Sequence, residues 1–248
     1  MSFITGLQFF TLREEIQTDF VGMLEKVAEI GYTGIEFGIN KGGLSAAELK
    51  KHLERLGLTP IASLYGFDKL KEELEEQIEY NVELGSKYMG LGYAKYSSKE
   101  DYISMANWCN EIGEKCKKKG LQFYYHNHAH EFELYDGEYG LDILYKHCDS
   151  ELVKTEIDTY WVQYAGVDPA KYIQKYAGRC PLVHLKDMEN NEARDFAEIG
   201  NGILNFNNII TAAKESGAEY FIVEQDRCKR PPIESIDISY KNLKKLGL

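Results

Sequence analysis

The chain has 248 residues, of which 44% are hydrophobic and 28% are charged, a composition that suits one large globular α/β domain. Its formal net charge of −11 at pH 7 repels phosphate backbones, so nucleic acid is excluded as an expected partner. No apolar run reaches the roughly 18 residues that a membrane-spanning helix needs, and the N-terminus lacks the pattern of a secretion signal. We therefore expect a cytoplasmic protein without a membrane partner.

The cysteines indicate neither a disulfide framework nor a structural zinc site. Their number is odd, and no two of them are spaced as Cys-x-x-Cys. The five are Cys109, Cys116, Cys148, Cys180 and Cys228.

Eight short segments rich in apolar, β-branched and aromatic residues predict eight strands. In chain order they span residues 5–12, 33–39, 59–66, 88–94, 121–128, 152–161, 181–188 and 220–226. Helical patterns occupy the stretches between them. Asp19 is suited to cap a helix that stops at Gly31, and Ser45 begins a capping-box helix that stops at Gly57. Two more helices are predicted over 98–120 and 168–178.

This alternation predicts a closed (β/α)₈ barrel, the TIM barrel, as a single domain over residues 1–248. Eight units in 248 residues average about 31 residues each, close to what one βα unit requires. An open doubly wound sheet is the alternative. That fold is expected to carry a glycine-rich phosphate loop after an early strand, and the sequence has no such motif.

The last four predicted strands each end in two ionisable residues that are two positions apart. This spacing places both side chains on one face of the strand, at the barrel end where TIM-barrel active sites lie. One such pair is typical of a solvated rim, but four in succession must be paired, protonated or bound to metal where they converge. The pattern therefore favours a metal site. The pairs are His126 and His128, Glu156 and Asp158, His184 and Lys186, and Glu224 and Asp226.

Several segments resemble the xylose-isomerase-like superfamily of TIM barrels, and within it the sugar phosphate isomerase/epimerase group. The most specific ones are YYHNHAHEF (124–132), EIDTYW (156–161), HLKD (184–187), EIGNG (198–202) and VEQD (223–226). The early segments GLQFFTLR and IGYTGIEF also resemble that group. The resemblance thus covers nearly the whole chain.

The resemblance implies one divalent metal ion, with Asp158, His184 and Glu224 at family ligand positions. The family's fourth ligand is often a glutamate at the end of strand five, where this chain has a histidine. Our first choice for that ligand is His126. Two other side chains are alternatives: His128 and Glu156. Mixed nitrogen and oxygen ligands suit Mn²⁺ or Zn²⁺ first, with Co²⁺, Fe²⁺ and Mg²⁺ as further options.

The activity implied by the resemblance is an isomerase or epimerase that acts on a small sugar or keto-sugar through an enediolate. The alternative is a metal-dependent lyase that dehydrates an inosose or cleaves a 3-keto-glycoside, because His126 weakens a proton exchange between two glutamates. A sugar-binding barrel without activity is a third hypothesis. Glu224 and Glu156 are the expected proton carriers, followed by His126, and Lys186 is expected to stabilise negative charge on oxygen.

Residues at other strand ends are candidates to bind the sugar through hydroxyl contacts or ring stacking. They are Gln8, Glu36, Tyr65, His128 and Trp161. The related endonuclease IV barrels hold a three-metal cluster, and non-matching residues at three of its positions argue against DNA repair. These are Trp161, Arg194 and Phe196. Barrels of this group often form dimers or tetramers, so a homo-oligomer is compatible with the sequence.

Overall fold

The computed structural model describes residues 3–248, and it confirms the predicted closed barrel of eight parallel strands. Each strand pairs with the next along the chain, and the last strand pairs with the first. The strands are β1 (Ile4–Gln8), β2 (Gly34–Phe37), β3 (Thr59–Gly66), β4 (Tyr88–Tyr93), β5 (Gln122–His126), β6 (Val153–Asp158), β7 (Leu182–Leu185) and β8 (Tyr220–Val223).

Helices pack around the barrel between successive strands. They are α1 (Phe20–Ile30), α2 (Ala46–Leu56), α3 (Phe67–Leu84), α4 (Lys99–Lys118), α5 (Gly140–His147), α6 (Thr159–Tyr164), α7 (Pro169–Lys175), α8 (Phe206–Glu215) and α9 (Pro232–Lys245). Asp19 caps α1, and Ser45 with Glu48 forms the predicted capping box of α2. Both helices end at a glycine with positive φ, which is 117° at Gly31 and 67° at Gly57. Within residues 3–248, no helix has the length and apolar character needed to cross a membrane.

Most of the predicted strands extended too far, and the first and sixth show why. Phe9–Leu12 forms a 3₁₀ turn after β1, and α6 begins directly after Asp158. The side chain of Asp158 itself starts that helix, because it accepts a hydrogen bond of 3.0 Å from the backbone N–H of Trp161. The apolar pattern continued past these two strands because most residues of the turn that follows each of them are buried as well.

One buried carboxylate organises the loop after β7. Asp187 accepts hydrogen bonds from the backbone N–H groups of Met188, Gly200, Gly202 and Leu204. A Cβ atom at Gly202 would collide with this carboxylate and with the carbonyl of Met188, so the position requires glycine. The segment predicted as a strand over 181–188 therefore ends at Leu185, and the EIGNG segment is a turn built on Asp187.

Apolar and aromatic side chains fill the lower half of the barrel interior, which is the half below the carboxyl ends of the strands. This inner cluster consists of Ile61, Ala62, Tyr88, Tyr124, Leu182, Tyr220 and Ile222. Glycines on neighbouring strands make room for it: Gly6 and Gly34 face Ile61, and Gly90 faces the ring of Tyr124. Tyr124 can thus lie across the barrel and donate its hydroxyl to Glu36. The apolar lower layer thereby supports a polar layer above it.

We predict that Gly90→Ala destabilises the protein by about 1–3 kcal/mol, because the added methyl group would overlap the ring of Tyr124 in a filled interior. Urea denaturation measures the change. Gly66→Ala is the matched control, since Gly66 has a φ of −77° and open space around its Cβ position. Equal stability of the two variants would contradict the packing account.

Candidate metal centre

Four buried side chains from consecutive strands meet at the carboxyl end of the barrel. Each can offer one ligand atom, and these atoms all lie within 4.8 Å of one another. Parallel strands bring them together because their carboxyl ends share one rim of the barrel. We call this set the ligand ring. It consists of His126 at the end of β5, Asp158 at the end of β6, His184 on β7 and Glu224 directly after β8.

Asp158 lies between the two imidazoles of the ligand ring. Its Oδ2 is 3.8 Å from His126 Nε2 and 3.9 Å from His184 Nδ1, which is too far for hydrogen bonds. This oxygen is buried and accepts no well-aligned hydrogen bond, although Lys186 Nζ lies 3.1 Å away. Two ligands bound to one zinc ion at about 2.1 Å are at most about 4.2 Å apart. The spacing and the donor atoms therefore fit a divalent cation.

Lys186 supplies a buried positive charge beside the ligand ring. Its Nζ lies 2.7 Å from Glu224 Oε2 and 2.7 Å from Asp226 Oδ2, in addition to its contact with Asp158. Only 1% of its side chain is exposed. Burial would lower the pKa of Lys186, but these three carboxylates raise it well above its usual value. The ammonium group is therefore charged at neutral pH.

Burial and neighbouring charges oppose each other within the ligand ring. Burial raises the pKa of Asp158 to about 6. Burial acts in the same direction on Glu224, but Lys186 and His184 hold the pKa of Glu224 below its usual range. Burial would lower the pKa of His184, but the carboxylates packed against its ring raise it well above its usual value. Because metal ligands must be deprotonated, His184 has to release a proton when a cation binds.

Two further glutamates contact the imidazoles from inside the barrel. Glu36 Oε2 is 2.6 Å from His184 Nε2, and Glu156 Oε2 is 3.0 Å from His126 Nδ1. Both carboxylates are fully buried. Glu36 was a predicted substrate-binding residue and Glu156 a predicted proton carrier, and the fold places both of them against the histidines of the ligand ring.

A cavity of about 420 Å³ adjoins the ligand ring. This volume is within the range of small-molecule sites. Three of the predicted substrate-binding residues line it: Gln8, Tyr65 and His128. Two ligand-ring residues and the neighbouring ion pair line it as well: His126, Glu224, Lys186 and Asp226. Trp161 lies behind His128, with ring centres 5.4 Å apart, and borders a neighbouring depression.

The mouth of the cavity is largely apolar and aromatic. Phe10, Ile39 and Tyr93 line it and are 44%, 58% and 47% exposed, respectively. Arg13 also lines it and stacks on Phe10, with its guanidinium carbon 4.7 Å from the ring centre. These aromatic faces suit the carbon-bound face of a sugar ring.

Sequence reasoning assigned no role to Tyr124, Arg13 or Asp226. Tyr124 stands two positions before His126, so strand alternation could have placed it on the same inward face. Asp226 was recognised as one member of a pair, but its contact with Lys186 depends on two strands meeting. Arg13 follows a turn rather than a strand, and no local pattern indicated its position.

A buried amine lies beside the wall of the cavity. Lys41 Nζ donates hydrogen bonds to the Gly38 carbonyl at 2.6 Å and to Ser63 Oγ at 3.0 Å. It also lies 5.2 Å from the ring centre of Tyr65. Burial lowers the pKa of Lys41 to about 7, against the opposing charge of Glu36. This amine therefore loses its proton near neutral pH.

We predict that His126→Ala weakens Zn²⁺ binding because it removes a ligand. Loss of a group that only orients a ligand weakens metal binding by roughly 10–100-fold, and loss of the ligand itself should weaken it more. His128→Ala should leave the affinity nearly unchanged, since its imidazole lies outside the ligand ring. Competition with a chromophoric chelator gives both dissociation constants. A larger loss in His128→Ala than in His126→Ala would assign the fourth ligand to His128.

Lys41 should make stability depend on pH. Its folded-state pKa lies below that of an unfolded lysine, so the unfolded chain binds more protons between about pH 7 and 10. The wild type should therefore gain stability relative to Lys41→Met as the pH rises through this range, by at most about 1.4 kcal/mol per pH unit. Urea denaturation from pH 6 to 9 tests this. Lys50→Met, on the exposed face of α2, controls for general effects of losing a lysine.

The expectation would be contradicted if the difference in the free energy of unfolding between the wild type and Lys41→Met stayed constant with pH.

Comparisons with known proteins agree with this architecture. A profile of the family described as xylose isomerase-like TIM barrel matches residues 24–246. An inosose dehydratase of Bacillus cereus (strain AH820) is 24% identical over 260 aligned positions, which cover 88% of this chain and 86% of the relative.

Solved structures share the fold at low identity. A sugar phosphate isomerase/epimerase from Parabacteroides distasonis ATCC 8503 superposes with a TM-score of 0.84 at 24% identity, covering 98% of this chain and 94% of that one. The IolI protein with a bound zinc atom gives a TM-score of 0.78 at 16% identity, covering 98% of this chain and 97% of its own. The resemblance seen in the sequence motifs is confirmed, and the chain belongs to the xylose isomerase-like TIM barrel family.

Proposed function

We propose that this protein is a divalent-metal-dependent lyase that removes water from a small cyclic keto-polyol of the inosose type. The observation that carries the proposal is the set of groups around the cavity. Among residues 3–248, Glu224 is the one glutamate in its lining. The relatives named inosose dehydratase, which match most of the chain, support the same reaction class.

The ligand ring would hold the cation. Asp158, His184 and Glu224 match the family ligand positions, and His126 would take the fourth. A bound divalent cation supplies Lewis-acid polarisation of a substrate carbonyl, which makes the neighbouring C–H acidic. Two imidazoles and two carboxylates favour Zn²⁺, Mn²⁺, Co²⁺ or Fe²⁺ over Mg²⁺.

Glu224 is suited to be the base. It lines the cavity, and its lowered pKa keeps it ionised at neutral pH. The carboxylate takes the proton from the carbon beside the carbonyl, and the substrate becomes an enolate. Lys186 lines the same wall and stabilises the negative charge that develops on oxygen. Glu224 then returns its proton to the leaving hydroxyl on the neighbouring carbon, and water departs from the same face.

The remaining lining residues bind and orient the substrate. Phe10 and Tyr93 offer faces for the ring, whereas the polar groups of Gln8 and Tyr65 are hydrogen-bonded to Glu36 and Asn81, respectively. His128 is neutral at pH 7, because burial lowers its pKa to about 3, and its buried Nδ1 has no hydrogen-bond partner. Its neutral imidazole ring borders the cavity and can pack against the substrate.

Isomerisation or epimerisation of a keto-sugar is the second candidate. It shares the enolate with dehydration, and His128 lines the cavity as a further group that can exchange a proton. In that reaction the proton returns to the adjacent carbon or to the other face, and the mass of the substrate is conserved. The described lining holds one glutamate for a proton exchange between two glutamates, so elimination, which one base can complete on one face, is favoured.

Proton NMR in deuterated water tests the proposal with inososes, 3-keto-glycosides and ketoses, each with Zn²⁺ or Mg²⁺ added. We expect an inosose to lose water and give an unsaturated or diketo product. Deuterium incorporation without loss of water or an aglycone would identify an isomerase or epimerase instead. Binding without exchange across the panel would contradict catalysis.

Glu224→Gln should lower turnover by about 10²-fold or more, because it removes both the base and a ligand. Glu219→Gln, at the opposite end of β8, is the control and should retain wild-type turnover. Retained activity in Glu224→Gln would remove Glu224 from the mechanism.

A further inference from the structure

A second layer of acidic side chains lies inside the barrel beneath the ligand ring. It consists of Glu36 from β2 and Glu156 from β6, each fully buried. A carboxylate in this position costs free energy unless it is paired or hydrogen-bonded. The partners of these two glutamates therefore indicate what the layer does.

Glu36 is held on three sides. Gln8 Nε2 donates a hydrogen bond of 2.6 Å to its Oε2, and the hydroxyl of Tyr124 donates to its Oε1. The third contact is 2.6 Å from His184 Nε2 to Oε2. The first two donors come from β1 and β5, so they hold the carboxylate in place independently of His184. The fixed carboxylate in turn holds the ring of His184 in one orientation.

Glu156 makes the corresponding contact with the other imidazole. Its Oε2 is 3.0 Å from His126 Nδ1 and 3.2 Å from His184 Nε2. Each histidine thus meets a buried carboxylate at one nitrogen and the ligand ring at the other. His126 faces Asp158 with Nε2, and His184 faces Glu224 with Nδ1, at 3.1 Å from its Oε2.

We propose that Glu36 and Glu156 are positioning residues that fix the tautomers of the two histidines, so that His184 presents Nδ1 and His126 presents Nε2 to the cation. The proposal rests on the metal site of the proposed function. A histidine that donates the N–H of one ring nitrogen to a carboxylate keeps its lone pair at the other nitrogen, which orients the ring and strengthens it as a ligand. The two glutamates act through the imidazoles, without touching the substrate.

The two histidines use opposite nitrogens, and this asymmetry makes the proposal specific. A general requirement for buried charge would be indifferent to which nitrogen carries the proton. Here the three-sided support of Glu36 places the proton of His184 on Nε2, whereas Glu156 places the proton of His126 on Nδ1. The tautomers can be observed directly.

The first test uses the wild-type protein loaded with Zn²⁺ and labelled with ¹⁵N-histidine. Long-range ¹H–¹⁵N spectra report which ring nitrogen binds the metal and which carries a proton. We expect His184 to coordinate through Nδ1 and His126 through Nε2. Coordination of His184 through Nε2 would overturn the proposal, and this test needs no variant that has to fold.

The second test compares Glu36→Gln with the wild type. Glutamine is neutral, so it removes the negative charge that holds the proton of His184 on Nε2, although its carbonyl oxygen can still accept from Gln8 and His184. The dissociation constant for Zn²⁺ should rise about 10–100-fold, and the His184 tautomer should become mixed. Glu156→Gln should act in the same way on His126. Tyr124→Phe leaves the Glu36–His184 contact in place and should give a smaller rise.

Glu131→Gln is the matched control. Glu131 is also a fully buried glutamate, and it accepts hydrogen bonds of 2.8 Å from the Tyr125 hydroxyl and from the backbone N–H of His128. It contacts neither histidine of the ligand ring through those bonds, so its variant should lose stability while Zn²⁺ affinity and both tautomers stay unchanged. Equal loss of affinity in Glu36→Gln and Glu131→Gln would show a merely structural role and overturn the proposal.

These outcomes separate the inference from the proposed function. Zinc affinity and tautomers are measured without substrate, so a protein that binds Zn²⁺ as described but dehydrates no inosose keeps the inference and loses the function. A wild type that turns over substrate, together with a Glu36→Gln variant of unchanged zinc affinity and tautomers, keeps the function and loses the inference.

Discussion

The burial of carboxylates at the carboxyl end of the barrel is the constraint on which the rest of the structure depends. Charges removed from water cost several kcal/mol each unless they are paired, hydrogen-bonded or bound to a cation. Four of them crowd this region, Glu36, Glu156, Asp158 and Glu224, and the partly exposed Asp226 adds a fifth negative charge. The ammonium of Lys186 and two imidazoles compensate part of this charge, and Oδ2 of Asp158, which has the ammonium at 3.1 Å but no well-aligned hydrogen bond, lies where a cation would add the rest. A divalent cation would complete it.

The side chains that support and neutralise these charges are arranged in layers along the barrel axis. Tyrosine and aliphatic side chains fill the lowest layer, and glycines on adjacent strands let the ring of Tyr124 cross it. Glu36 and Glu156 form the next layer, and the ligand ring lies above them. Lys186 and the cavity come last. Each layer holds the one above it, so the geometry of the metal ligands depends on packing several residues away from the substrate.

The fold was predictable because the features that define a βα unit can be read from short stretches of sequence. Apolar strand patterns, capping residues such as Ser45 and helix-ending glycines such as Gly57 each depend on a few neighbouring residues. The ends of the strands were less predictable. Most residues that follow β1 and β6 are buried like strand residues, and their backbone hydrogen bonds distinguish a turn or a helix from a longer strand.

The candidate site was likewise predictable only in part. The sequence by itself determined which side chains reach the carboxyl rim, because spacing by two residues assigns His126, Asp158, His184 and Glu224 to one face of their strands. It could not determine that Glu36 and Glu156 turn towards the histidines instead of the cavity, or that Lys186 pairs with Asp226. Those contacts join residues up to 148 positions apart in the chain, as Glu36 and His184 are. The distances between them exist only once the barrel closes and brings its first strands against its last.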